Sequence, residues 1–211
     1  MINKIETSKY VTGFILIVYA YFCYLMFKLL MQYIPLNSDA GFLRIKQDVV
    51  TKVSFYLIFF YTHVYTSILV LPAGFTQFSS NILKKQTSVH KLMGRIYAYV
   101  VLLFAAPSGI IMGFFSNGTK FTSLSFIILG SLWFYFTFRG ITAARNRSFH
   151  LHKKMMIRSF ALALSAITLR SWKVIIVYSF HTAPMDTYNI ISWLGWIPNL
   201  LIAEYIINRK P

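Results

Sequence analysis

Carboxylates are scarce in this chain: Glu6, Asp39, Asp48, Asp186 and Glu204 are the five acids among 211 residues. Charged residues of both signs make up only 12%, about half the share in an ordinary soluble domain. Composition therefore excludes both a disordered chain and a typical soluble one. A proton- or sodium-coupled transporter usually carries Asp or Glu at the bilayer midplane, and these few acids supply none there. The single cysteine, Cys23, lies in an apolar run. One thiol excludes an internal disulfide, a thiolate zinc site and a C-x-x-C-H haem attachment. No H-E-x-x-H, G-x-S-x-G or P-loop pattern is present, and no internal repeat or low-complexity tract.

Apolar residues dominate instead, at 57% with 18% aromatic and a mean hydropathy of +0.60. The formal net charge is +16, from 21 Lys and Arg. In a soluble protein that excess would point to nucleic acid. Here the basic residues separate long apolar runs, so a membrane is the expected partner and nucleic acid is not. A spanning helix needs about 20 mostly apolar residues. Six stretches qualify, at about 10–31, 53–78, 92–115, 121–141, 155–180 and 188–207. The first has no small-x-small cleavage site after it and reads as a span rather than a signal peptide. The last contains Gly195 and Pro198 and is expected to kink. The fold class that follows is all-α: one polytopic transmembrane bundle of about six helices, with helices 2 to 5 as a four-helix core.

Orientation follows from the distribution of Lys and Arg. Six spans put both termini on the side of the second–third and fourth–fifth loops, which holds fourteen basic residues against five opposite. Termini in the cytoplasm of a bacterial inner membrane are the expectation. The connection 32–52 then faces outward, where Phe42, Leu43, Ile45 and Val49 alternate with Arg44, Lys46 and Asp48 as in an interfacial helix.

Ionisable groups inside spans usually face the bundle interior. His63 falls in the outer half of the second span, His90 opens the third, His150 and His152 precede the fifth, and His181 ends it. Imidazoles on facing helices are how a bundle clamps haem. His90 and His152 are the candidate inner ligands of a haem b iron, and His63 the outer one. The competing reading is interfacial hydrogen bonding, to which His150 and His181 are assigned. Arg158 lies one turn inside the boundary, where it can snorkel. Arg170 follows Met155 by fifteen residues, ~22 Å along a helix, and must be paired or hydrated. Its candidate partners are carbonyls of the kinked sixth helix, water, or an anion the protein does not supply. At matching depths, ~15 Å from the outer end, His63 and Arg170 are expected to share one polar site. Ala105, Gly109 and Gly113, flanking Pro107, read as a close-packing stripe. Tyr56, Tyr97, Tyr99 and Tyr178 read as interfacial belts.

The run Val89-His90-Lys91-Leu92-Met93-Gly94-Arg95-Ile96-Tyr97 resembles the H-x-x-x-G-R-x-Y signature of the bacterial membrane family termed domain of unknown function 2306. His152-Lys153-Lys154-Met155-Met156-Ile157-Arg158-Ser159, then Ala166-Ile167-Thr168-Leu169-Arg170, is similar to that family's H-R-R-W-M-I-R-S and A-A-V-T-L-R, with Met155 in the tryptophan position. His63 and the Gln77-Phe78 pair also fall where the family has a histidine and a Q-F pair. The resemblance covers roughly residues 42–173. It implies a compact helical membrane core and singles out His63, Gln77, His90, Arg95, His152, Arg158 and Arg170, without bringing an activity. The histidine layout is similar in style to the cytochrome b561 class. Three functions stay open: a haem-binding or redox-associated protein; an accessory or assembly subunit binding lipid and a membrane partner or a second copy; and a small-molecule transporter.

Overall fold

The computed structural model describes residues 9–78 and 80–209, so Lys4, Glu6 and Lys210 of the charge count lie outside the described residues. Six helices are long and apolar enough to cross a membrane: 13–31, 56–76, 87–114, 120–145, 149–180 and 186–209. No strand occurs among the described residues. The protein is an all-α, multi-pass helical bundle, as expected. Several ends differ from the sequence reading. The third span starts at Thr87 and the fifth at Phe149, so His90, His150 and His152 lie within helices. Hydropathy marks where a helix enters hydrocarbon, whereas backbone hydrogen bonding continues through polar turns beyond it.

The first span is α1 (Lys9–Met31). A short 3₁₀ turn (Gly41–Lys46) and α2 (Gln47–Lys52) follow. The second span is α3 (Tyr56–Ser67) plus α4 (Val70–Thr76), and α5 (Ser80–Lys85) links it to the third. That third span is α6 (Thr87–Tyr99), a π-helical segment (Val100–Ala105) and α7 (Ala106–Phe114). The fourth is the unbroken α8 (Lys120–Arg145). The fifth is α9 (Phe149–Ala163) and α10 (Ser165–Phe180); the sixth is α11 (Pro184–Leu194) and α12 (Ile197–Arg209). Four of the six spans are thus interrupted near mid-length. The second, third and sixth carry a proline just after the break, Pro72, Pro107 and Pro198, and Pro72 has no N–H for the Ile68 carbonyl four residues back; the break at Leu164 has none.

Helices 2 to 5 form the centre, with Trp196 of the sixth span inserted among Val70, Tyr97, Val101, Ala105, Trp133 and Leu162. A polar knot sits inside this core. Tyr97 and Ser159 hydroxyls lie 2.7 Å apart, Thr137 and Ser159 hydroxyls 2.7 Å apart, and Trp133 Nε1 donates to Tyr97 Oη at 3.3 Å. Tyr97 and Ser159 come from the two family-like runs, so part of that signature is packing. Tyr97 and Tyr56 are each 1% exposed, which corrects their reading as belt residues; Tyr99 and Tyr178 are exposed as expected. A buried tyrosine is stable where its hydroxyl finds a partner.

The first span stands at the periphery. Its Tyr19 hydroxyl donates to Leu71 O at 2.7 Å and its ring stacks on Phe75. The 41–52 segment is helical as expected but turns inward as a cap: Leu43 is buried against Tyr33, Tyr56 and Phe60. Buried Lys46 donates to Phe115 O at the end of α7.

Candidate functional site

The structure gathers the sequence candidates at two levels. Towards the end bearing the 41–52 cap, His63 of α3 faces the third span. Its Nδ1 lies 2.9 Å from Ala105 O and 3.3 Å from Ser108 Oγ. A carbonyl can only accept, so the Nδ1 proton is assigned there and Nε2 keeps a lone pair. Gly109 makes this approach possible, since a Cβ in its place would sit 3.0 Å from His63 Cε1. Gly113 similarly admits Phe126 and Ile127 of α8. The small-residue stripe is therefore packing, on two faces. The backbone beside His63 is loosened twice, by the π turn and by Pro107, which has no N–H for the carbonyl four residues back.

Arg170 of α10 belongs to the same level. Its guanidinium lies within electrostatic reach of the His63 ring and of Tyr33 and Tyr188. Tyr33 follows the end of α1, and Tyr188 lies near the start of α11. Arg170 itself is exposed, His63 and Tyr188 are half-buried, and Tyr33 is buried beneath the 41–52 cap. One donor is committed: Nη1 reaches Ala166 O of its own helix at 2.5 Å. The expected cap from sixth-helix carbonyls is replaced by this i−4 carbonyl. Among the described residues no carboxylate pairs with Arg170; the acids in ion pairs are Asp39, Asp48 and Glu204. A guanidinium has five N–H donors in a planar fork, so most of this one is unused by protein.

At the basic end, Gln77, His90 and His152 come together. With its amide oriented to satisfy both ends, Gln77 donates through Nε2 to His90 Nδ1 (3.2 Å) and His90 O (3.1 Å), and its oxygen accepts from Gly94 N–H (3.2 Å). A Cβ at Gly94 would come 2.9 Å from that amide, which accounts for glycine in the H-x-x-x-G-R run. His152 Nδ1 donates to Gly140 O at 2.9 Å, and its ring is within electrostatic reach of His90. His90 and His152 therefore have opposite tautomers: His90 accepts at Nδ1 and carries its proton on Nε2, whereas His152 keeps a free Nε2. Arg95 is exposed on α6.

Arg158 has a partner that the snorkelling reading missed. Its Nε and Nη2 donate to Glu204 Oε1 and Oε2 at 2.5 and 2.7 Å, a bidentate pair tying α9 to α12. Phe136 lies under the guanidinium, 5.7 Å from ring centroid to Cζ. Asn199 and Thr168 make a second tie between these spans, through Thr168 Oγ1 to Gly195 O (2.5 Å) and Asn199 Nδ2 to Ala161 O (3.2 Å). Tyr33, Tyr188, Ser108 and Glu204 did not stand out in sequence. The only available signal was for Glu204, the lone acid inside an otherwise apolar stretch.

Among the described residues no group of three His, Cys, Asp or Glu side chains is placed to hold a metal ion. Fold and sites together define a multi-pass helical membrane protein with an exposed arginine, Arg170, inside its fifth span. The chain belongs to the family of predicted membrane proteins designated domain of unknown function 2306, matched over residues 60–207. That match takes in spans two to six and leaves the first span and the cap outside. No curated protein and no solved structure matches the chain.

Proposed function

We propose that the protein is a non-catalytic, ligand-binding component of the bacterial inner membrane, whose Arg170 holds the charged group of an anionic amphiphile. The observation that carries this reading is Arg170: an exposed guanidinium in a span, with one N–H on its own backbone and no carboxylate partner. Such a charge is costly in a bilayer unless something answers it. A phosphate or carboxylate matches the planar fork with two parallel hydrogen bonds. His63 Nε2 adds an acceptor, or a donor once protonated, beside that group. Fourteen basic residues against five support termini in the cytoplasm, with Arg170 in the outer half of its span.

The test is thermal unfolding of the detergent-purified protein with hexyl phosphate, against a hexyltrimethylammonium control. A ligand that binds the folded state raises Tm with concentration. Hexyl phosphate is expected to do so for the wild type, weakly for Arg170→Lys and not for Arg170→Gln. An equal rise for Arg170→Gln would refute the reading.

Haem is the second reading, favoured by His63 and His152, whose Nδ1–H groups are held by carbonyls with Nε2 left to ligate. A bound haem would supply one-electron chemistry. The expected inner pair does not fit well, because Gln77 fixes the proton of His90 on the nitrogen that would meet iron. An absorbance spectrum before and after dithionite tests it: a Soret band lost in His152→Ala supports haem, and a colourless folded protein from haem-replete cells removes it.

A further inference from the structure

An apolar groove of about 240 Å³ separates the first span from the fifth. Phe14, Val18 and Phe22 form one wall, and Leu164, Ile167 and Thr168 the other. The Thr168 hydroxyl is already held by Gly195 O, so that wall offers the groove no free polar group. Two features keep the groove open. The fifth span breaks at Leu164, and the first span is tied to the bundle through Tyr19, on Leu71 and Phe75 of the second span.

Arg170 follows directly on the groove's fifth-span wall. Ile167 and Arg170 are three residues apart on α10, so they share a face with a rise of ~4.5 Å. Arg170 is therefore just outward of the groove's fifth-span wall, and exposed Lys173 lies one further turn outward. Charge and apolarity are arranged in the order of a phospholipid: cations at the mouth, then a narrow apolar track running inward along the helices. At ~15 Å from the outer end Arg170 lies below the headgroup layer, so an anion on it would be held deeper than a bulk-lipid phosphate. Resting on the anion-binding reading above, we infer that the ligand of Arg170 is a phospholipid with a net-anionic headgroup, its phosphate on Arg170 and one acyl chain seated in the groove between the first and fifth spans. The family match begins at residue 60, so half of this seat comes from a span outside the matched region. The first span then acts as the wall that makes the site selective for a long chain.

Native mass spectrometry of the full-length protein tests this with three probes: dioleoyl phosphatidic acid, dihexanoyl phosphatidic acid and dioleoyl phosphatidylcholine. The wild type is expected to retain dioleoyl phosphatidic acid about tenfold more than either of the others, because both charge and buried methylenes contribute. Val18→Trp, which fills the groove, is expected to remove the chain-length advantage while keeping dihexanoyl phosphatidic acid; that retained binding also shows that the variant is folded. Arg170→Gln is expected to lose both anionic lipids. Equal retention of long and short chains by the wild type, or an unchanged preference in Val18→Trp, would overturn the acyl seat and leave the anion site standing. Unchanged retention in Arg170→Gln would overturn both.

Discussion

Replacing Arg158 by Met or Glu204 by Leu breaks the α9–α12 ion pair from either side, and replacing both removes it without leaving an unpaired charge, so the three variants isolate what the pair contributes. Breaking a fully buried pair costs about 3–5 kcal/mol, because the surviving charge is left without compensation. Here the Arg158 side chain keeps 17% exposure and Glu204 37%, so part of that charge can be resolvated. An expected loss of about 2–3 kcal/mol follows, well above the 0.2–1 kcal/mol of exposed pairs. The assay is equilibrium unfolding of the detergent-solubilised protein with increasing dodecyl sulfate, for Arg158→Met, Glu204→Leu and the double variant. Each single variant should be destabilised by that amount. The double variant, apolar on both sides, should recover to within about 1 kcal/mol of wild type. A coupling energy below about 0.5 kcal/mol would refute the claim that this pair joins the fifth and sixth spans.

Enlarging Gly109 should act on His63 specifically: Gly109→Val is expected to displace the ring and weaken hexyl phosphate binding several-fold, read by the same Tm titration. Gly94→Ala is expected to dislodge Gln77 and shift the His90 ring resonances in NMR spectra of the histidine-labelled protein, leaving hexyl phosphate binding unchanged. Burial holds the Lys46 ammonium well below its usual range, at about 8. The unfolded cap keeps its proton up to about 10.4, so between those values the unfolded state binds more protons and the docked cap gains stability as pH rises. The hydrogen-exchange protection factor of residues 41–52, observed rate relative to intrinsic rate, should rise over that window in wild type, and Lys46→Met should abolish the rise. Reporter fusions after Lys85 and Arg147 should report cytoplasm, and those after Asp39 and Asn117 the exterior.

The six spans could be read from hydropathy because a bilayer imposes one length on every crossing helix. The break at Ile68–Leu69 is marked by Pro72, which leaves the Ile68 carbonyl without its helical N–H. The break at Leu164 is unmarked, since no proline or glycine lies near it and it depends on the packing around it. The match in depth of His63 and Arg170 followed from counting residues. That the two come within electrostatic reach of each other, with Tyr33 and Tyr188 also near Arg170, depends on which spans are neighbours, and composition does not encode that. Arg158 shows the same boundary: one turn inside the membrane it needed no partner, yet Glu204, forty-six residues later, supplies one. Buried Tyr97 illustrates a further limit, because its partners Ser159 and Trp133 lie on two other spans. Pairing across spans leaves no mark within either run.

The most direct measurement is a structure of the protein in nanodiscs containing phosphatidic acid, inspected at Arg170. The account predicts density for a phosphate at hydrogen-bond distance from the guanidinium, beside His63 and below Tyr33 and Tyr188. A guanidinium turned to a protein carboxylate, or facing lipid chains with no anion beside it, would contradict the account.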